Sequence, residues 1–286
     1  MNAPIKLIEC PRDAMQGIEH FISTDLKANY INLLLNVGFD TIDFGSFVSP
    51  KAIPQMRDTA KVLNKLNINQ NSSKLLAIVG NLRGAQDASA FEEIKYLGFP
   101  FSVSETFQQR NTNSSINDAL KTLEQINNLC IKHDKEIVTY LSMGFGNPYG
   151  DDWNTEILHF WAKKISDLGV NIISLADTTG ISTPENISTI FPDLTYEFKH
   201  VEWGMHLHAT STDADAKIKA AFTTNCKRFD SAIKGFGGCP MATNKLIGNI
   251  ATEKVIEYLK ENTPNNSLNY KAFNVAYTFS SQIFNS

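Results

Sequence analysis

The chain has little of what marks several protein classes. Its 286 residues include four cysteines, Cys10, Cys130, Cys226 and Cys239, widely spaced and with no Cys-x-x-Cys pair. That excludes a zinc finger and a dense disulfide scaffold, and points to a reducing compartment. Basic runs are missing as well. With 26 Lys and Arg against 30 Asp and Glu the net charge is −4, so there is no electrostatic footprint for nucleic acid. No apolar stretch is long enough to span a bilayer. The strand-like run at 5–9 comes too early for a basic region and an apolar signal segment to precede it. The expectation is a cytoplasmic protein with neither nucleic acid nor membrane as partner.

What the chain does contain is alternation. Runs of β type at 5–9, 41–44, 75–79, 101–104, 137–142, 171–175, 202–208 and 228–233 are separated by longer stretches with apolar residues at helical intervals. Among the latter are 25–37, 54–66, 116–133, 153–168 and 214–225. Eight such units predict an α/β fold, a (β/α)8 TIM barrel formed as a single domain over residues 1–286. An open doubly wound sheet is the other arrangement the alternation allows. Gly38, Gly98 and Gly169 each stand between a helical run and a strand, where a left-handed helix terminus favours glycine. The Asn- and Ser-rich stretches at 67–73 and 262–269 read as surface loops or helix ends. A last apolar segment at 273–284 predicts an additional C-terminal helix, an extension over about 270–286 that could cover the barrel or join a partner.

In such a barrel the loops after the strands form one face, and functional groups gather there. Arg12 and Asp13 follow the first run, Asp43 lies in the second, Asn81 follows the third and Glu105 the fourth. Asp177 follows the sixth, His206 and His208 end the seventh, and Gly237-Gly238-Cys239-Pro240 follows the eighth. Residues two apart on a strand point to one side, so His206 and His208 face one spot. Two neutral imidazoles on a rigid strand are half of a metal site, with Asp13 and Asn249 as complementary oxygen ligands. The other reading is a pair of core histidines with satisfied nitrogens.

Arg12 beside Asp13 also reads two ways. One is a local ion pair, with Asp13 capping a helical turn and Gln16 in a capping-box role. The other puts Asp13 on a metal and Arg12 against negative charge developing on a substrate oxygen. Cys239, between paired glycines and a proline, belongs on a loop where its thiol could deliver or remove a proton. Asn249 could instead be an N-terminal cap for the helix-like 251–259.

Taken together the motifs occur in a characteristic order: Pro11-Arg12-Asp13-x-x-Gln16, Ser46-Phe47-Val48-Ser49-Pro50-Lys51, Asn81-x-Arg83-Gly84, Ser102-Val103-Ser104-Glu105 and Gly146-Asn147-Pro148-Tyr149. Ser174-Leu175-Ala176-Asp177-Thr178, His206-x-His208, Gly237-Gly238-Cys239-Pro240 and Gly248-Asn249-x-Ala251-Thr252-Glu253 complete it. In this the chain resembles, nearly end to end, the 3-hydroxy-3-methylglutaryl-CoA lyases, metal-dependent enzymes built on a barrel. The resemblance implies cleavage of a branched acyl-CoA to acetyl-CoA and acetoacetate. It also implies a divalent metal, Mg²⁺ or Mn²⁺, on Asp13, His206, His208 and Asn249. It places Arg12 near the thioester oxygen, makes Cys239 the proton donor to the leaving enolate and His206 a further proton relay, and adds Asp43 and Asp177 as catalytic candidates. A homodimer is implied too.

The chain departs from the pattern at four places. Ala209 stands where Asp usually follows the second histidine, Asp43 where glutamate is expected, Val138 where an arginine is expected, and Ala14 where glycine is usual. These departures bear on substrate identity. They leave two further readings, an aldolase or condensing enzyme acting on a 2-oxo acid, and a barrel that binds metal or acyl-CoA without catalysis.

Overall fold

Strands buried on both faces must be covered by helices outside and by packed side chains inside, and the apolar runs of this chain meet that demand by closing on themselves. The computed structural model describes residues 4–68, 73–238, 247–263 and 267–284. Eight parallel strands, β1 (Lys6–Glu9), β2 (Thr41–Ser46), β3 (Lys74–Ile78), β4 (Ile94–Ser102), β5 (Glu136–Ser142), β6 (Ile172–Ala176), β7 (Glu202–His206) and β8 (Arg228–Ser231), pair in chain order. β1 also pairs with β8, from Lys6 opposite Arg228 to Glu9 opposite Ser231, and this closes the barrel. The open-sheet alternative is thereby excluded.

Around the barrel lie α1 (Pro11–Gln16), α2 (Thr24–Leu35), α3 (Thr59–Leu63), α4 (Leu82–Ser89), α5 (Glu105–Thr112) and α6 (Ile116–Lys132). They are followed by α7 (Thr155–Asp167), α8 (Pro184–Glu197), α9 (Ala214–Thr223), α10 (Thr252–Asn262) and α11 (Tyr270–Phe284). The C-terminal extension is therefore helical. It packs along α2, where Tyr30 stacks on Phe279 with ring centroids 6.3 Å apart, and reaches the segment after β8, where Phe284 stacks on Phe236 at 4.4 Å.

Four expectations need correction. The fourth strand starts at Ile94, seven residues before the expected run at 101–104. Gly98 and Pro100 hid it, because both interrupt a strand pattern. Gly98 does not end a helix in the left-handed region, as Gly38 (φ 85°) and Gly169 (φ 79°) do. It lies inside β4, where a Cβ would sit 2.5 Å from Ile78 Cδ1. The seventh strand stops at His206 rather than 208. His208 is held instead by an isolated antiparallel bridge to Asn249, flanked by Ala209 N–H to Gly248 O (3.0 Å) and Ile250 N–H to Leu207 O (3.2 Å). The eighth strand likewise ends at Ser231, before the expected 233. The two Asn- and Ser-rich stretches fall partly outside the described residues.

Candidate active site

Each residue of the barrel mouth is aimed by its local sequence. β1 runs into α1, which opens with Pro11, a residue with no N–H to leave unsatisfied at a helix start. The turn delivers Arg12 and Asp13 to the mouth, where both are buried. Outward-facing Trp203, Met205 and Leu207 pack in the surrounding core and leave His206 and His208 facing inward. The bridge just described then carries Asn249 beside them.

Arg12 is the hub of this group. Its Nη1 donates to Asp13 Oδ1 (2.9 Å), its Nη2 to Asp43 Oδ2 (2.5 Å), and its Nε to both oxygens of Asp43 (3.1 and 3.2 Å). Gln16 Nε2 donates to Asp13 Oδ1 at 2.7 Å, so the pair bonds between side chains rather than as a capping box; the N-cap, Cys10, makes no side-chain bond. The other oxygen of Asp13 accepts from Asn249 Nδ2 (2.6 Å) and Gly238 N–H (3.2 Å). Asn249 also donates to Phe236 O at 2.9 Å and caps no helix, since Ala251 is the residue before α10.

The two imidazoles meet at the same point. His206 Nε2 and His208 Nε2 are 3.2 Å apart, and Asp13, His206 and His208 present ligand atoms all within 4.8 Å of one another. Adjacent ligands at about 2.1 Å from an octahedral ion stand roughly 3 Å apart, so this spacing fits one cation between them. At His208 protonation fits as well. Burial and the neighbouring His206 push the His208 imidazole down to about 4, which keeps it neutral and able to ligate. Burial would lower His206 too, but its hydrogen bond to Asp230 and the charges of Asp230 and Asp13 outweigh that and raise it. Burial works against the Asp13 carboxylate, yet Arg12 and the two imidazoles hold it well below the usual range. Asp43, buried and close to the charges of Asp13 and Asp230, is pushed up to about 6 despite Arg12.

Arg12, Asp13, His206 and His208 line a cleft of about 180 Å³. Val48, Ala52, Ile53, Ile78, Pro100 and Phe107 wall it, which suits a long, largely apolar ligand with a polar reacting end.

Other expected residues lie elsewhere. Asp177 is 1% exposed, and its oxygens accept from Ile181 N–H (2.9 Å), Ser182 N–H (3.2 Å), Ser182 Oγ (2.5 Å) and Lys217 Nζ (3.2 Å). Lys217 Nζ also donates to His208 O at 2.8 Å, so the pair braces the backbone behind a histidine and does not face the cleft. Asn81 caps α4 through Gly84 N–H (2.9 Å), and Glu105 accepts from Ile116 N–H (3.0 Å). Cys239 lies outside the described residues.

The family model described as HMGL-like matches residues 5–278. The chain belongs to the HMGL-like family. It is 32% identical over 258 residues to the cytoplasmic 3-hydroxy-3-methylglutaryl-CoA lyase of Rattus norvegicus, covering 89% of this chain and 74% of that one. It is 32% identical over 251 residues to the hydroxymethylglutaryl-CoA lyase YngG of Bacillus subtilis, covering 88% and 83%. The structure of the HMG-CoA lyase from Brucella melitensis superposes with a TM-score of 0.91 at 26% identity, over 99% of both chains.

Against this HMGL-like background the departures can be placed. Val138 is buried on the inner barrel wall with Leu76, Tyr96, Tyr140 and Ile172. Ala209 is buried beside the bridge to Gly248, and Ala14 packs with Ile8, Cys10 and Ala232. Sequence reasoning passed over Asp230, whose Oδ2 lies 3.1 Å from His206 Nδ1, and Lys217. The signal for Asp230 was available: Arg228-x-Asp230 sets two charges on one face of a short strand that is otherwise fit for burial.

Proposed function

We propose that the protein cleaves 3-hydroxy-3-methylglutaryl-CoA to acetyl-CoA and acetoacetate. The observation that carries this reading is the meeting of Asp13, His206 and His208 at one point in the cleft, with Asn249 bonded to Asp13 and Arg12 beside it. A divalent ion, Mg²⁺ or Mn²⁺, held by those four side chains would lower the pKa of the substrate's tertiary hydroxyl.

The protein's own groups complete the chemistry. Arg12, clamped by Asp13 and Asp43, presents a fixed cation to the thioester oxygen. As the carbon–carbon bond breaks, its electron pair passes into the thioester and forms the enolate of acetyl-CoA. A preorganised cation stabilises that oxygen more in the transition state than in the neutral ester, which lowers the barrier. The hydroxyl proton leaves as the ketone of acetoacetate forms. A carboxylate beside the site accepts it, while Asp230, 3.1 Å from Nδ1, orients His206. Cys239 protonates the enolate carbon, a thiol near its ordinary pKa being largely protonated at neutral pH. Asp43 orients Arg12, and Asp177 acts through Lys217 on the position of His208. The protein works as a cytoplasmic homodimer, as the resemblance implies.

The test is direct. Purified protein with Mg²⁺ or Mn²⁺ should form acetoacetate and acetyl-CoA from this substrate, lose the activity to a chelator and regain it on adding the ion. No product with any divalent ion would refute the reading, and release of pyruvate from a 2-oxo acid substrate would replace it.

A further inference from the structure

His206 has two ring nitrogens, and the metal reading above uses one. Its Nε2 lies 3.2 Å from His208 Nε2, while Nδ1 lies on the other edge of the ring, 3.1 Å from Asp230 Oδ2. Here Cys10 comes into reach. Cys10 Sγ, a ring nitrogen of His206 and an oxygen of Asp230 all lie within 4.8 Å of one another. Three parts of the barrel bring them together. Cys10 stands between β1 and α1 with its N–H on Ser231 O at 2.9 Å, His206 ends β7, and Asp230 is its register partner on β8.

Both partners of His206 are open to a ligand. Cys10 is a free thiol, fully buried, and at the N-cap of α1 its side chain makes no capping bond. Asp230 is 2% exposed, and its Oδ1 has no hydrogen-bond partner among the described residues. A buried carboxylate oxygen without a partner costs free energy, and a cation shared with the neighbouring thiol and imidazole would complete it.

The donor set also selects the ion. Carboxylate and amide oxygens with imidazoles suit Mg²⁺ or Mn²⁺ at the first site, whereas a set that includes thiolate sulfur suits Zn²⁺. Zinc–ligand bonds of about 2.0–2.3 Å in a tetrahedron hold the ligand atoms roughly 3.5 Å apart. Nδ1 and Asp230 Oδ2 already stand inside that spacing, and the sulfur has little more than about 1 Å to close.

We propose that Cys10, His206 Nδ1 and Asp230 form a second metal site, selective for Zn²⁺ and back to back with the first. The thiol releases its proton to solvent as the ion binds, as does Nδ1 where it carries one. An ion entering by the cleft passes His206, the member of the trio that lines it. The site shares His206 with the reading above but needs no lyase activity, so failure of the lyase assay and failure of this proposal remain distinguishable.

Co²⁺ in place of Zn²⁺ makes the sulfur visible, because a thiolate ligand adds a near-ultraviolet charge-transfer band. Titrated into metal-free protein, Co²⁺ should raise this band to saturation at one thiolate-bound ion per chain. Zn²⁺ should bleach it and Mg²⁺ should not. Cys10→Ala should abolish the band and leave Mn²⁺ binding, followed by the free-ion EPR signal, unchanged. Cys239→Ser should keep the band, which separates Cys10 from the loop thiol. If circular dichroism shows that Cys10→Ala does not fold, Asp230→Asn, which keeps the thiol in place, is read instead and should weaken Co²⁺ binding at the same band. A parent without the band, a band that survives Cys10→Ala or vanishes in Cys239→Ser, bleaching by Mg²⁺, or loss of Mn²⁺ binding in Cys10→Ala would each overturn the proposal. Unchanged Co²⁺ affinity in Asp230→Asn would overturn it too.

Discussion

Arg12→Met separates catalysis from architecture, because the proposed chemistry gives Arg12 the first role and its bonds to Asp13 and Asp43 give it the second. Among the described residues lining the cleft, Arg12 is the one permanent cation. Removing one such donor from a developing oxyanion costs about 10²–10³ in kcat, or about 3–4 kcal/mol. The same change strands Asp43, which is 1% exposed and bonded to Arg12 through both oxygens. Breaking a buried pair from one side destabilises a fold by about 3–5 kcal/mol, although a carboxyl already pushed up to about 6 relieves part of this by taking a proton. Arg12→Met combined with Asp43→Asn removes the stranded charge. The double variant should therefore recover much of the lost urea midpoint and none of the lost turnover. Mn²⁺ affinity should not fall in either variant through charge, because a cation 2.9 Å from Asp13 competes with the metal for that carboxylate. The reasoning fails if turnover returns together with stability, or if Arg12→Met keeps kcat within tenfold of the parent.

Other outcomes follow from the same geometry. His208→Ala removes one of two nitrogens 3.2 Å apart; Mn²⁺ titration should show a loss of at least a hundredfold, and excess metal should restore little activity. Lys217→Met leaves Asp177 unpaired and His208 O without its donor at 2.8 Å; thermal unfolding should show a loss of about 3–5 kcal/mol, with weaker Mn²⁺ binding alongside. Burial pushes Glu9 up from the ordinary 4.5 to about 8, against its hydrogen bonds from Thr252 and Ile233. The folded state therefore binds more protons than the unfolded one across that window, and stability falls as pH rises from 4.5 to about 8. Glu9→Gln should flatten this slope, so urea midpoints of parent and variant at pH 5.5 and 8.5 should diverge on the alkaline side.

What the sequence disclosed and what it hid divide along a physical line. Period-two and helical spacing are local, and they were enough to count eight units and to put His206, His208, Arg12 and Asp13 at strand ends. Gly98 and Pro100 broke that local pattern inside β4, whose strand character comes from pairing with β3 and β5 on either side. His208 shows the same limit. Its aim was read correctly, but its support is the bridge to Asn249, 41 residues away, not the strand. Partnership is less visible still. Asp177 reads as a catalytic candidate after the sixth strand until Lys217, from α9, is seen to pair with it. Arg228 and Asp230 read as an unremarkable pair of charges until closure of β8 onto β1 turns that face of the strand into the barrel's interior. There a charge must be balanced by its neighbours, Glu202 at 3.5 Å and the Tyr96 ring at 5.5 Å. Residues that touch the reacting atoms are thus declared by motif and order. Those that hold them are declared only by burial, which is a property of the closed fold.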